Sequence, residues 1–223
     1  MTLPSNAPKN SFCFAPKFDS PNRHDASGAF LPYMEAFRRL YGGGHGRVIT
    51  LPFDNHATAD SEFGAISAGF EQIPGKLDAI VYFGHGEPFG MVSSDIYTKD
   101  IQKFAELIKR KSVHGVRVVL FACSCGKFNY PGGSFASKLA VALREIEAVV
   151  FGHDNVGHTV TNANLYRYSG DGRGVAVAPT GKFQAFDRML KAESIDQKPR
   201  DNNAFWARIP FMTPDEIRAE VAK

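Results

Sequence analysis

Cysteine, excess charge and long apolar runs are all scarce in this sequence. Its 223 residues contain only three cysteines, Cys13, Cys123 and Cys125. A small and odd number of thiols argues against a disulfide framework and favours a reducing compartment. The formal net charge of +3 is too small to indicate a nucleic-acid partner or a membrane surface, and we expect neither.

The sequence also shows no recognisable targeting segment. No stretch approaches the roughly 18 apolar residues that a membrane span requires. Residues 1–12, MTLPSNAPKNSF, hold no basic segment followed by an apolar one, as a secretory signal would. We therefore expect a cytoplasmic protein, with export by a signal-less route left open. We also expect a single domain over residues 1–223, with its core at about 11–180 and an extension at about 181–223.

Short apolar runs alternate along the chain with segments of helical periodicity. Runs rich in Val, Ile and Phe predict strands buried on both faces, at residues 11–16, 47–53, 78–84, 116–122 and 148–152. Apolar residues at helical spacing predict helices around residues 30–40, 63–73, 101–108 and 135–146. Strand-helix-strand repetition requires right-handed crossovers. The pattern therefore predicts an α/β fold, a three-layer α/β/α sandwich around a mainly parallel sheet.

The pattern changes after residue 152. Residues 164–169 and 175–179 flank the run Gly-Asp-Gly-Arg-Gly at 170–174, which predicts a hairpin and an antiparallel edge to the sheet. Thr98 and Ser134 occupy positions typical of helix N-caps. Thr213, Pro214 and Glu216 combine an N-cap, a first-turn proline and a capping-box glutamate, and they predict a short final helix.

Two reactive side chains follow neighbouring strands of the predicted sheet. The run at 79–83 leads into Gly84, His85 and Gly86, and the run at 118–121 leads into Ala122 and Cys123. In open parallel sheets the functional groups gather past the carboxyl ends of the strands. The separation of 38 positions between His85 and Cys123 suits one crossover, so we expect the imidazole and the thiol to face one another.

A thiol beside an imidazole is suited to acyl transfer. The thiolate would attack a carbonyl carbon, and His85 would protonate the leaving amine. The backbone amides of Gly86 and Cys123 are candidates for stabilising the oxyanion. Taken singly, a buried cysteine and a polar histidine at a strand end are ordinary structural residues, so the interpretation rests on their joint placement.

An apolar block that ends in His-Gly, followed by an apolar block that ends in Ala-Cys, resembles the signature of the clan CD cysteine peptidases. The matching blocks here are residues 79–86 and 118–123, and the order of elements from 11 to 179 is similar, in style nearest to toxin self-processing and CHAT-type protease domains. The resemblance implies a caspase-like fold, a His85/Cys123 dyad and Gly86 in the oxyanion hole. It implies a cysteine endopeptidase that acts on a protein or peptide and needs no cofactor, with self-processing as one form of the activity.

Two other interpretations stay open. Cys123 and Cys125 could hold zinc with His85, His153 or His158, although a Cys-X-Cys without a second pair is a weak zinc signal, and we expect no metal. A caspase-like module could also have kept the motif while acting only as a binding or scaffolding domain. Cys125 itself is not required by the signature.

The resemblance also implies where the residue before the scissile bond would bind. The two loops concerned are residues 17–27, with Arg23 and Asp25, and residues 153–164, with Asp154. An acidic pocket would select Lys or Arg, whereas Arg23 would select an acidic side chain. Asp154 favours a basic or small apolar residue, and its alternative role is to cap a turn.

Overall fold

A computed structural model describes residues 3–16, 27–41, 47–51, 59–156, 164–177 and 205–222. The strands are β1 (Ser11–Pro16), β2 (Arg47–Leu51), β3 (Leu77–Phe83), β4 (Gly90–Met91), β5 (Ile96–Tyr97), β6 (Ser112–Phe121), β7 (Val149–His153), β8 (Leu165–Tyr168) and β9 (Gly174–Ala176). The helices are α1 (Ser27–Tyr41), α2 (Ala59–Glu71), α3 (Ile101–Lys111), α4 (Phe135–Ala142), α5 (Phe205–Arg208) and α6 (Pro214–Val221).

Seven strands form one sheet in the order β2-β1-β3-β6-β7-β8-β9. The first five strands of this order are parallel. β8 and β9 add an antiparallel edge, as the hairpin pattern predicts. β4 and β5 form a separate two-stranded ribbon that the periodicity did not reveal, because two-residue strands carry no pattern.

Alternate residues of the strands enter two separate cores. On one face, Phe14, Ile80 and Leu120 pack with apolar side chains of α2, α3 and α4. On the other face, Val81 and Val119 pack with side chains of α1, α5 and α6. Successive side chains of a strand point to opposite faces, so helices on both faces require the continuous apolar runs of the sequence. The three-layer α/β/α prediction is confirmed.

Some boundaries differ from the prediction. β6 begins at Ser112 rather than at residue 116. Its pairing with β3 is irregular at this end, because Leu77 pairs with Ser112 whereas Ala79, two residues later, pairs with Arg117. Ser134 is the N-cap of α4, as predicted. The Thr98 prediction is wrong, because Thr98 opens a 3-10 turn and Asp100 precedes the first residue of α3. No helix in the described ranges combines the length and apolarity needed to cross a membrane.

The last helix is capped as the sequence predicts and is tied to the amino-terminal segment. The Thr213 hydroxyl accepts from the Glu216 amide, and the Glu216 carboxylate accepts from the Thr213 amide at 2.7 Å. The same carboxylate accepts from the amide and hydroxyl of Ser5 at 2.9 and 3.1 Å. These bonds lower the pKa of Glu216, and the bond from the Thr213 amide has the largest effect.

We predict that Glu216→Gln lowers the free energy of unfolding at pH 7 by on the order of 1 kcal/mol, since its bonds lose their charge. A pKa that is lower in the folded state gives stabilisation that is present above the ordinary carboxyl pKa and lost as the pH falls through the lowered value. The difference from the wild type should therefore shrink below about pH 4. Urea denaturation at pH 7 and pH 3.5 measures it.

The matched control is Glu71→Gln, which removes the same charge from an exposed residue at the end of α2. It should leave the free energy of unfolding nearly unchanged at both pH values. An effect of Glu216→Gln that is equal at the two pH values would contradict the role of its charge.

Candidate active site

The register of β3 and β6 brings His85 and Cys123 to the same edge of the sheet. Tyr82 pairs with Leu120 and Phe83 with Phe121, each 38 positions apart. His85 and Cys123 are separated by the same number of positions, and each lies two residues beyond the last pair. The Gly84 amide donates to the Phe121 carbonyl oxygen at 3.3 Å, which extends the pairing past the strands. The two loops therefore begin side by side on strands about 4.8 Å apart.

The two loops are in direct contact at Gly86. A Cβ at this position would lie 2.8 Å from the carbonyl oxygen of Cys123 and 2.4 Å from Sγ of Cys125. Real Cβ atoms do not approach so closely, so only glycine allows this packing. Among the described residues, the Gly86 amide has no hydrogen-bond acceptor. It is therefore a free donor beside the thiol-bearing loop.

The first turn of α4 fastens both loops. The Phe135 amide donates to the Pro88 carbonyl oxygen at 2.7 Å, and the Ala136 amide donates to the Cys125 carbonyl oxygen at 2.9 Å. The first amides of a helix lack partners within the helix, and here the loops of the site supply them. A single helix end therefore fixes the loop after β3 relative to the loop after β6.

The loop after Cys123 holds a strained backbone. Ser124 adopts a left-handed conformation with φ of 56°, which costs a residue with a side chain roughly 1–2 kcal/mol. The Ser124 amide donates to the Asn155 carbonyl oxygen at 3.1 Å, and the Gly126 amide donates to the His153 carbonyl oxygen at 2.9 Å. The segment after β7 thus holds the sharp turn in place. Strain of this kind is concentrated at functional sites.

The three thiols differ in accessibility. Cys13 and Cys125 are buried, with exposed fractions of 2% and 0%, and burial raises the pKa of both. Cys123 is partly exposed. The Cys125 thiol donates to the Gly90 carbonyl oxygen at 3.2 Å, so it links the two loops from inside. Cys123 is therefore the most accessible of the three thiols.

His85 is exposed but supported on several sides. Its ring meets the ring of Phe30 edge to face, with centroids 4.9 Å apart. Its amide donates to the Ser93 hydroxyl oxygen at 2.9 Å, and its carbonyl oxygen accepts from the Tyr82 hydroxyl at 3.0 Å. α1, β3 and the turn between β4 and β5 all contribute to its position.

An aromatic cluster lies directly beneath the site, and sequence reasoning missed it. Phe83 and Phe121 stack at 5.0 Å, two residues before His85 and Cys123. The ring of Trp206 meets both edge to face, at 6.0 and 5.2 Å. Trp206 comes from α5, far along the chain from both loops, and no local pattern could have connected it to them.

The predicted substrate-binding residues are only partly within the described ranges. Arg23 and Asp25 lie outside them. Asp154 follows β7, and its carboxylate accepts from the Phe128 amide at 2.6 Å, so it is bonded to the loop that follows β6. Selection of substrate by these residues stays a prediction.

The zinc interpretation has no cluster to support it in the part of the chain that the structure describes. No three His, Cys, Asp or Glu side chains are grouped there as ligands. Cys125 is committed to the Gly90 carbonyl oxygen, and His153 is buried beside the Phe121 ring. His158 lies outside the described ranges.

The fold and the site define an α/β/α sandwich protein with an accessible thiol and an imidazole at the carboxyl edge of its parallel strands. The chain belongs to the family described as "Domain of unknown function (DUF8616)", whose model matches residues 53–172, just over half of its length. This range includes both His85 and Cys123. None of the curated proteins matches the chain.

Three solved structures of cysteine proteases are similar to the chain. A secreted C11 cysteine protease from Bacteroides thetaiotaomicron, iotapain, is 14% identical, with 68% of this chain and 54% of that chain covered and a TM-score of 0.43. A secreted C11 cysteine protease from the same organism, in complex with an irreversible peptide inhibitor, is 9% identical to the chain. The match covers 91% of this chain and 57% of that chain, with a TM-score of 0.43. The complex of the RgpB pro- and mature domains from Porphyromonas gingivalis is 12% identical to the chain. The match covers 97% of this chain and 50% of that chain, with a TM-score of 0.45. The chain spans about half the length of these proteins, and the similarity concerns the fold alone.

We predict that Gly86→Ala lowers the free energy of unfolding by about 1–3 kcal/mol, because the added methyl group overpacks the contact between the loops. Chemical denaturation of the full chain measures the loss. Gly64→Ala is the matched control, since Gly64 is exposed in α2 and a Cβ there meets nothing within 4 Å. The control should gain up to about 1 kcal/mol from helix propensity. Equal effects at the two glycines would contradict the close packing of the loops.

Proposed function

We propose that the protein is a cysteine endopeptidase with Cys123 as the nucleophile and His85 as its proton-transfer partner. The observation that carries the proposal is the common register: the residues at 85 and 123 follow adjacent parallel strands at the same offset as the paired residues before them. A nucleophile and a base need this proximity before any other catalytic feature has an effect.

The first half of the reaction acylates the thiol. The Cys123 thiolate attacks the carbonyl carbon of the scissile amide, and a C–S bond forms as the carbonyl electrons move to oxygen. The amides of Gly86 and Cys123 donate to this oxyanion. Protonated His85 then gives its proton to the amide nitrogen, the C–N bond breaks, and the amine leaves.

The second half releases the acid and restores the thiol. Neutral His85 takes a proton from water, and the resulting hydroxide equivalent attacks the thioester carbon. The C–S bond breaks, the carboxylic acid product leaves, and His85 again bears the proton beside a thiolate. No metal or organic cofactor is required at any step, since the dyad supplies both nucleophile and proton.

Three features of the site support this chemistry. The Gly86 amide is an unused donor among the described residues, Cys123 is the accessible thiol, and the strained Ser124 aims the turn that carries it. The firm attachment of both loops to α4 keeps the groups in place before substrate binds, which is the basis of electrostatic preorganisation.

The finer parts of the proposal concern specificity and self-cleavage. We assign Asp154, Arg23 and Asp25 to the loops that contact the residue before the scissile bond, and we expect a basic or small apolar residue there. The resemblance in the order of elements to toxin self-processing and CHAT-type domains supports self-processing as part of the proposal. Polar loops are the usual sites of cleavage, and residues 193–203 are the candidate segment.

We predict that Cys123→Ala removes peptidase activity, by roughly 10³-fold or more, with the free energy of unfolding little changed. His85→Ala should cause a loss of similar size, and the double variant should lose no more than the worse single variant, because the two groups act as a unit. Cys125→Ala is the matched thiol control and should cause a much smaller loss of activity. Cleavage of a peptide library by each variant measures these effects.

We further predict that an irreversible thiol-directed peptidyl probe labels Cys123 and neither of the buried thiols at neutral pH. Mass spectrometry of the labelled chain locates the adduct. A protein that is folded but takes no label and cleaves no peptide would instead be a binding or scaffolding module. A loss from Cys125→Ala equal to that from Cys123→Ala would mean that the nucleophile is misassigned.

A further inference from the structure

A cavity of about 320 Å³ opens at the end of the sheet opposite to His85 and Cys123. It lies between the strands β6 to β9 and the segment that contains α5 and α6. Most of the described residues that line it are apolar, among them Val149, Phe151, Val175, Val177, Ile209 and Met212. Ligand cavities span roughly 300–1,000 Å³, so this one suits a small molecule.

Three arginines line the same cavity, and none of the described residues that line it is acidic. Arg218 pairs with Asp215 on its own helix. Arg117 and Arg167 have no carboxylate partner among the described residues. Within the described chain, the cavity therefore presents two arginines that form no direct ion pair, beside its apolar residues.

The environment of Arg117 is unfavourable without an anion. Its Nε is buried and lacks a hydrogen-bond partner in the described part of the chain. Burial lowers the pKa of Arg117, and the positive charge of Arg167 lowers it further, against an opposing effect of Asp78. The Asp78 carboxylate already accepts from the amides of Lys9 and Asn10 at 2.7 and 3.0 Å. A buried donor without an acceptor destabilises the folded state, and a ligand that supplies the acceptor removes this cost.

We propose that this cavity binds a small amphipathic carboxylate of the medium-chain fatty-acid class. The carboxylate would accept from the guanidinium groups of Arg117 and Arg167, whose planar donors match a carboxylate group. The short apolar chain would occupy the space between β7, β9 and α6. Charge complementarity selects the head group, and the apolar wall excludes a purely polar polyanion.

The site is separate from the proposed peptidase site. Arg117 precedes Cys123 by six residues, which corresponds to roughly 20 Å along an extended chain. The inference does not depend on the peptidase proposal, and binding can be measured in the Cys123→Ala variant.

Calorimetric titration of the full chain with decanoate, kept below micelle-forming concentrations, tests the inference. We expect saturable 1:1 binding. Arg167→Gln should weaken it at least tenfold, since a charged hydrogen bond is lost at an exposed residue that folding does not need. Arg173→Gln is the matched control, because it removes the same charge from the same hairpin outside the cavity, and its affinity should stay within twofold of the wild type.

Two further ligands and one variant separate the parts of the inference. Decanol, which lacks the charge, and tripolyphosphate, which lacks the apolar chain, should each bind at least tenfold more weakly than decanoate. Val175→Trp fills the mouth of the cavity from an exposed position on β9 and should abolish binding.

Absence of decanoate binding would overturn the inference. Binding of decanol or tripolyphosphate as tight as that of decanoate would overturn the assigned chemistry. Binding that survives both Arg167→Gln and Val175→Trp would place the ligand elsewhere on the protein, and it would overturn the assigned site whatever the peptidase assays show.

Discussion

The parallel pairing of β3 with β6 is the constraint on which the rest of the structure depends. It joins the two halves of the sheet, buries Val81 and Val119 in one core and Ile80 and Leu120 in the other, and sets the offset of the residues that follow. A shift of one residue would exchange the faces of every side chain on one strand. The burial of both faces therefore fixes the register, and the register fixes which loop residues meet.

The loops at the carboxyl edge of the parallel strands are held in place by packing and by backbone hydrogen bonds. Gly86 allows the two loops to touch, Cys125 binds the Gly90 carbonyl oxygen, and the first turn of α4 uses its orphan amides on both loops. These contacts immobilise the backbone around Cys123 without using its side chain. The Cys123 thiol can remain partly exposed because the neighbouring residues supply the stability that the exposed side chain does not.

Local patterns predicted much of this fold, and long-range contacts account for what they missed. Continuous apolar runs indicated the strands, and Ser134 and Thr213 marked helix starts, since a cap and a buried strand leave their signal within a few residues. Trp206 gives no such signal: its role beneath Phe83 and Phe121 arises only when the end of the chain packs on the sheet. Thr98 was misjudged because an intervening 3-10 turn delays α3 to Ile101.

The packing of the segment 205–222 connects both ends of the sheet. Arg117, Val119 and Phe121 alternate along β6 and therefore belong to one face of it, and Cys123 lies in the loop that follows this strand. Trp206 packs beneath the candidate active site, whereas Ile209 and Met212 form the wall of the arginine-lined cavity. Because these residues belong to one short segment in one core, the docking of that segment on the sheet forms both a wall of the cavity and the packing beneath the thiol-bearing loop.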